Sequence, residues 1–246
     1  MGKQQFWIAA LAGCLIMTTS CAETRVGGKG VHEVFIDRRV AALVAAVSEG
    51  SMDAADKALQ LGADVNAVGA EGLSPLLWVM GTTLNVSKIE YLLKKGADPN
   101  YRDNERQASA MSLAAGGDRA DILELLLQYR GDPNLLGPGG DTMLMIAVSQ
   151  LRDKNLDLLL KYGANLNQTD RHHETVANKA AGYGRYDLVA KFLDIGLDYN
   201  LQGLARTVEV RVVPPGSEQQ SWKEKVIEML KARGAKFPAF VPHREE

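Results

Sequence analysis

Gly62-Ala63-Asp64-Val65-Asn66 is the stretch that decides the fold, because versions of it return along the chain at almost constant spacing. The later copies are Gly96-Ala97-Asp98-Pro99-Asn100, Gly131-Asp132-Pro133-Asn134, Gly163-Ala164-Asn165-Leu166-Asn167, Gly196-Leu197-Asp198-Tyr199-Asn200 and the remnant Gly234-Ala235-Lys236. Successive markers are 34, 34, 33 and 33 residues apart, counted at Asp64, Asp98, Asp132, Asn165 and Asp198. A fixed period of this size indicates one repeated supersecondary unit. Function is therefore expected on a repeated surface rather than in a single catalytic cleft.

Each unit repeats the same internal order of segments. A helix of small residues comes first, as in Met111 to Ala115, and a leucine-rich helix follows, as in Ile122 to Leu127. Apolar residues at helical spacing on both helices mean that one pair cannot bury its faces alone, so neighbouring pairs must stack. The glycine after each leucine-rich helix permits a left-handed stop.

This order resembles the ankyrin repeat, whose signature runs Gly-x-Thr-Pro-Leu-His-x-Ala-Ala and ends in Gly-Ala-Asp-Val-Asn. The best match is Gly72-Leu73-Ser74-Pro75-Leu76-Leu77-Trp78-Val79-Met80, in which serine replaces threonine and leucine replaces histidine. The resemblance implies an all-α ankyrin-repeat solenoid of helix-turn-helix units with finger loops, with about five to six repeats including caps. The expected boundaries are 34–66 for the N-terminal cap, 67–100, 101–134, 135–167 and 168–200 for the repeats, 201–238 for the C-terminal cap and 239–246 for a tail. The expected helix N-caps are the hydroxyl residues Ser74, Ser109, Thr142 and Thr175.

The C-terminal cap is expected to be irregular. Within Leu204 to Pro215, valines alternate with charged residues, which is a strand-like period, and two prolines disfavour a helix. Ser217 to Arg233 is predicted to be a helix that ends at Gly234. Two roles stay open for the irregular segment, namely shielding of the last repeat and contact with a partner.

The first 21 residues are predicted to be an export signal rather than part of the fold. Phe6 to Met17 is an apolar run long enough for a signal peptide but too short to cross a bilayer. The segment resembles a bacterial lipoprotein signal peptide, in which the cysteine at its end is acylated. That cysteine is predicted to be Cys21, with Cys14 as the alternative. The resemblance then implies a lipid anchor in the bacterial periplasm, and Ala22 after the cysteine implies the outer membrane. Residues 22–33 are predicted to form a flexible tether of about 40 Å at most.

Composition argues against several classes of function. The chain has 28 basic and 30 acidic residues, so it lacks the basic surface that binding to nucleic acid requires. Both of its cysteines lie within the predicted signal peptide, which leaves the repeats without a disulfide or a thiolate. Gly137-Pro138-Gly139-Gly140 lacks the Lys-Ser or Lys-Thr of a phosphate loop, and His172-His173 is interpreted as a solvated finger tip. No metal, cofactor or enzymatic activity is expected.

What remains is a candidate partner-binding surface on the loop tips and the exposed faces of the first helices. Mapped by position in the repeat, it contains Glu71, Leu73, Tyr101, Arg102, Glu105, Arg106, Asp141, Gln150, Arg171, His172, Glu174 and Tyr183. The arginines and tyrosines are the expected anchors. Trp78 is expected in the core, and the turn Gly81 to Ser87 is a second candidate contact.

These observations lead to two hypotheses about function. The first is a monomeric, non-enzymatic protein-binding module, anchored in the periplasm, that acts as an immunity protein against an envelope-targeting toxin such as a secretion-system lipase effector. The alternative is a scaffold or chaperone for an endogenous envelope enzyme. In both cases the partner is another protein, and the membrane is reached through the N-terminal lipid.

Overall fold

The computed structural model describes residues 25–239, which form thirteen α-helices and one two-stranded ladder. The ladder pairs β1 (Arg25–Val26) with β2 (Lys29–Gly30) in antiparallel orientation. The helices are α1 (Val31–Val34), α2 (Arg38–Glu49), α3 (Met52–Gln60), α4 (Pro75–Thr82), α5 (Val86–Lys94), α6 (Ala110–Gly116), α7 (Ala120–Gln128), α8 (Met143–Ser149), α9 (Asp153–Lys161), α10 (Val176–Gly182), α11 (Tyr186–Asp194), α12 (Leu201–Val210) and α13 (Glu218–Ala232). The all-α repeat fold predicted from the period is confirmed. The predicted signal peptide, with Cys14 and Cys21, and most of the tail at 239–246 lie outside the described residues.

The described residues divide into two compact units. The first contains the residues up to Ala110 together with Glu124–Gly131, and the second contains Met111–Leu123 and the residues from Asp132 onward. In the first unit α2 packs against α3 and α4, and α4 packs against α5. In the second unit α8 packs against α9 and α10, α10 packs against α11 and α12, and α13 packs against α11 and α12. Within each unit, neighbouring helix pairs therefore bury apolar faces against one another, as the period requires.

Helix starts follow the hydroxyl positions of the sequence. The Ser74 hydroxyl accepts a hydrogen bond from the Leu77 N–H at 3.2 Å, and the Thr142 hydroxyl accepts one from the Met145 N–H at 3.2 Å. Thr175 instead donates its hydroxyl hydrogen to the Asn178 side-chain oxygen at 3.0 Å. Each arrangement fixes the first turn of an inner helix at the residue where the signature requires it.

The asparagine that ends a copy of the Gly-Ala-Asp motif connects that copy to the next one, as Asn66 does in the first unit and Asn134 in the second. The Asn66 amide donates to the Gly96 carbonyl at 2.9 Å, and its oxygen accepts from the Asp98 N–H at 2.8 Å. In the second unit Asn134 makes the same pair of bonds, to the Gly163 carbonyl and from the Asn165 N–H. The motif thus provides a repeated inter-turn hydrogen bond besides the helix stop.

The prediction of a strand-like segment after Leu204 is wrong for its first part, because Leu201–Val210 is helix α12. The valines alternate with charged residues, but Leu204, Ala205 and Val208 also lie on one helical face, and that face is buried. The Asn200 side chain caps the helix by accepting from the Gly203 N–H at 3.1 Å. The prolines at 214 and 215 follow the helix end at Val210, so they limit its length without preventing it.

The prediction of a flexible tether over 22–33 also differs from the structure, since residues 25–33 belong to the β1–β2 ladder and α1. The Lys29 ammonium lies 2.7 Å from a Glu71 carboxylate oxygen, and β1 contacts α4. A reason is visible in α4, whose residues from Pro75 to Met80 are all buried. A helix that is apolar on every side must be covered on every side, and the ladder contributes part of that cover.

Trp78 is fully buried in α4, as predicted. Its ring meets the Phe35 ring edge-on, with centroids 6.0 Å apart and planes inclined at 68°. Phe35 follows α1 directly, so this contact joins the N-terminal segment to the core of the first unit.

Asn155 is a buried polar residue of α9 that the sequence analysis did not single out. Its amide donates to the carbonyls of Ala114, Ala115 and Gly117 at 3.0, 3.0 and 2.8 Å, which satisfies groups at the end of α6.

We expect Asn155→Ala to lower the free energy of unfolding by about 1–2 kcal/mol, because buried carbonyls lose their donor. Urea denaturation measures this. Lys154→Ala on the exposed side of the same helix is the control and should change stability by less than about 0.5 kcal/mol; equal effects would contradict the prediction.

Candidate functional site

The candidate residues of the first unit are largely engaged in contacts within the unit. Glu71 pairs with Lys29 and lies 3.8 Å from the Arg106 guanidinium. The hydrogen bond that Lys29 donates lowers the pKa of Glu71. Partial burial acts against this effect, and the positive charge of Lys29 adds to it. Leu73 is half-buried, and its backbone bonds to Gly69 and Ala70. These positions hold the N-terminal ladder and the first finger in place.

The finger that follows is organised by Asp103, a buried carboxylate that the sequence analysis missed. Its oxygens accept hydrogen bonds from the backbone N–H groups of Glu105, Arg106 and Ala108. Asp170 does the same in a later finger, where it accepts from the His172 and Glu174 N–H groups at 2.8 and 3.0 Å. An aspartate that opens a polar turn is the signal that would have identified both residues.

Tyr101 does not present its hydroxyl to solvent. The hydroxyl is buried without a hydrogen-bond partner in the described part of the chain, and burial raises the pKa of this group. Arg102 and Glu105 are exposed beside it. Of the candidates from Tyr101 to Arg106, the two arginines and Glu105 are exposed to solvent, whereas the tyrosine hydroxyl is buried.

We expect Lys29→Met to loosen the ladder measurably. Because the pKa of Glu71 lies below its ordinary value of 4.5, the pair is intact above that pH and is lost as the pH falls through the lowered pKa. Amide hydrogen exchange of residues 25–30 should accelerate about two- to fivefold at neutral pH, the size expected for a part-exposed pair. Lys57→Met on α3 is the matched control. Equal exchange rates of the two variants at neutral pH would contradict the prediction. Equal protection factors of residues 25–30 in the wild type above and below the pKa of Glu71 would also contradict it.

In the second unit, two candidate residues meet at an open groove between α10 and α12. The groove has a volume of about 510 Å³ and is lined by Glu174, Asn178, Lys179, Gly182, Tyr183, Thr207, Val210 and Arg211. Glu174 and Tyr183 were predicted from the repeat position. The residues from α12 and its end were not predicted, because the alternating valines indicated a strand there.

Polar contacts hold the walls of the groove in place. The Lys179 ammonium lies 3.1 Å from an Asp141 carboxylate oxygen, and the Asn178 amide donates to the Thr207 hydroxyl at 3.1 Å. The Arg211 guanidinium donates to the carbonyl of Gly182 at the end of α10. Two cationic side chains are thus positioned at the groove, and Asp141, a predicted site residue, positions one of them.

Apolar side chains at the groove remain open to solvent. Tyr183 is 53% exposed and Val210 is 60% exposed, and Val212, just beyond the groove, is almost fully exposed. Tyrosine and arginine are residue types enriched at protein interfaces, and the aliphatic groups beside them add apolar area.

The remaining candidates of the second unit lie outside the groove lining. The Arg171 side chain lies against the Gly139–Gly140 turn, and the Gln150 side chain lies beside Gly116. His172 is exposed at a finger tip. Residues 25–239 contain no group of three or more metal-ligating side chains. Over the same residues, every helix is too short or too polar to cross a bilayer.

Comparison with protein families gives one match that covers well over half of the chain. A family model described as ankyrin repeats, in three copies, matches residues 43–136 and 111–203. The matched ranges include α4, α10 and the first residues of α12, and therefore the groove residues from Glu174 to Tyr183, whereas Thr207, Val210 and Arg211 lie beyond the match.

Individual relatives resemble part of this chain. It is 29% identical to human ankyrin repeat domain-containing protein 63 over 140 residues, which covers 54% of this chain and 35% of that protein. It is 26% identical to the human transient receptor potential cation channel subfamily A member 1 over 132 residues, covering 53% of this chain and 11% of the channel. A fowlpox virus protein, putative ankyrin repeat protein FPV024, is 28% identical over 130 residues, covering 46% of this chain and 22% of its own length. The chain therefore spans about a third or less of the length of these relatives.

Proposed function

We propose a binding function from one premise: this chain belongs to the ankyrin-repeat family, and such repeats form protein-protein interaction modules. The protein partner is bound at the groove between α10 and α12. The observation that carries this assignment is the exposed Tyr183 and Val210 beside the fixed cations Lys179 and Arg211. The same family membership supports a non-enzymatic role.

The partner chemistry that suits the groove is an apolar side chain flanked by a carboxylate. The apolar group would cover the Tyr183 ring and Val210, and the carboxylate would pair with Arg211, whose guanidinium is already oriented by the Gly182 carbonyl. A guanidinium held in this way loses little conformational entropy when it binds.

We further propose that the mature protein is anchored by an acylated Cys21 to the periplasmic side of the outer membrane. There it binds and neutralises an envelope-targeting toxin, such as a secretion-system lipase effector, as an immunity protein. The resemblance of residues 1–21 to a lipoprotein signal peptide supports the location, and the binding architecture supports the mode of action.

A pull-down from envelope extracts tests the binding function. The acylated wild-type protein should recover one stoichiometric protein, and recovery of none would overturn the proposal. A deletion strain then tests the immunity role: sensitivity to sister cells is the expected result, whereas loss of an endogenous enzyme activity would indicate a scaffold instead.

A further inference from the structure

A second apolar surface lies in the first unit, where residues 34–40 meet the finger at 67–70. Ile36 is 92% exposed and Val68 is 57% exposed, and both line an open groove of about 360 Å³. We call these two residues the Ile36–Val68 edge. Neither belongs to the partner-binding groove or to its supporting contacts.

The edge is preformed by close backbone packing. A side chain at Gly69 would lie 2.8 Å from the Val34 carbonyl oxygen and from a Val34 methyl group, so only glycine fits there. The Gly69 N–H donates to the Leu73 carbonyl at 2.8 Å, which closes the finger behind Val68. The backbone beside Val68 is therefore packed tightly against Val34, while the Ile36 and Val68 side chains are exposed.

The segment that carries Ile36 is basic. Residues 25–39 contain the basic Arg25, Lys29, Arg38 and Arg39 against the acidic Glu33 and Asp37, and Glu71 pairs with Lys29, so this surface has a net charge of +1, whereas the whole chain has −2. Arg25 and Arg38 are exposed. An apolar pair on a locally cationic segment complements a surface that is anionic outside and apolar inside, which describes an anionic phospholipid bilayer.

The length of chain before Arg25 brings this segment close to the proposed anchor. Only residues 22–24 separate Cys21 from the ladder, so the Cα atoms of Cys21 and Arg25 are at most about 14 Å apart. Arg25 pairs with Gly30, and Gly30 directly precedes α1, which leads to Ile36. The 12 residues of α2 carry the chain on by about 18 Å to Glu49 at the far end of that helix.

We propose that the Ile36–Val68 edge rests on the surface of an anionic phospholipid bilayer when Cys21 is acylated, an inference that rests on the lipid anchor of the proposed function. The ladder that replaces the expected tether shortens the reach from the lipid. The anchor supplies the affinity, and the edge sets which side of the first unit faces the lipid.

Site-directed spin labelling of the acylated full-length mature protein tests this orientation. Nitroxides are placed by Ile36→Cys, Val68→Cys and, as the control in the same unit, Glu49→Cys, in vesicles of phosphatidylethanolamine and phosphatidylglycerol. The ratio of collisions with oxygen, which partitions into lipid, to collisions with a water-soluble nickel chelate should be at least about threefold higher at 36 and 68 than at 49. Because the described part of the chain has no native cysteine and Cys21 is consumed by acylation, each label occupies one position.

Two readouts separate this inference from the anchor on which it rests. Mass spectrometry of the N-terminal peptide reports acylation directly, and its absence overturns the anchor together with this inference. If the peptide is acylated but the three ratios are equal, the edge faces water, and the inference alone is overturned. High ratios at 36 and 68 in vesicles that contain only lipid and this protein exclude a second protein as the required occupant of the edge.

Discussion

Replacement of Trp78 by alanine is expected to lower the free energy of unfolding by about 3–5 kcal/mol, the largest effect of any single change considered in this protein. The side chain is fully buried in α4, which has no solvent-exposed face between Pro75 and Met80. Removal of the indole leaves a cavity among groups that cannot collapse, and it removes the edge-on contact with Phe35. The loss therefore combines apolar transfer, a cavity and an aromatic pair.

Urea denaturation monitored by circular dichroism measures this effect, and two variants make the result specific. Trp222→Ala changes the same residue type on α13, where the ring is only half-buried and its N–H faces Glu218, and should cost less than about 1 kcal/mol. Trp78→Phe should cost less than Trp78→Ala, since it keeps much of the ring and removes an indole N–H that has no partner among the described residues. Equal losses for Trp78→Ala and Trp222→Ala would show that Trp78 does not hold the first unit together.

Replacement of Tyr183 by alanine is expected to weaken binding of the protein partner at least about 30-fold, which corresponds to about 2 kcal/mol. The ring stands at the groove of the second unit and is more than half exposed, so a partner would bury most of it. Because Tyr183 follows the end of α10 and its ring is not part of the core, unfolding should change by less than about 0.5 kcal/mol.

The matched control is Tyr199→Ala, which removes another exposed tyrosine of the second unit that does not line the groove. Titration calorimetry with the partner recovered by pull-down compares the two variants. A Tyr199 variant that weakens binding as much as the Tyr183 variant would move the interface from the groove to the finger turns.

The features predicted correctly are those that a local pattern determines. The glycine period located the regular helix pairs from α2–α3 to α10–α11, Ser74 and Thr142 marked helix starts, and the apolar surroundings of Trp78 placed it in the core. The ladder at residues 25–30 could not be predicted in this way. Its position depends on the ion pair with Glu71, more than 40 residues away in the sequence. It also depends on packing against α4, whose residues from Pro75 to Met80 are all buried.

The groove was only half predicted for a related reason. Glu174 and Tyr183 occupy regular repeat positions, whereas Thr207 and Val210 lie in a segment whose pattern fits a strand and a helix equally well. Burial of Leu204 and Val208 against neighbouring helices decides between the two, and that is tertiary information. Asp103 was missed because an aspartate in a finger turn looks solvated until its three backbone donors are known.

The asparagine bonds between successive copies of the motif are made by a different residue at the last copy. Asn66 and Asn134 each bind the next copy of the motif through one donated and one accepted hydrogen bond. A further copy inserted after either of them could make the same two bonds. Asn200 adopts a left-handed backbone and uses its oxygen to cap α12 instead. Gln202 makes the two final bonds, donating to the Lys236 carbonyl and accepting from the Lys236 N–H. The last helix pair is therefore joined to the preceding copy through Gln202 in place of an asparagine, and a module added by design should be inserted before Asn200 so that these two bonds are kept.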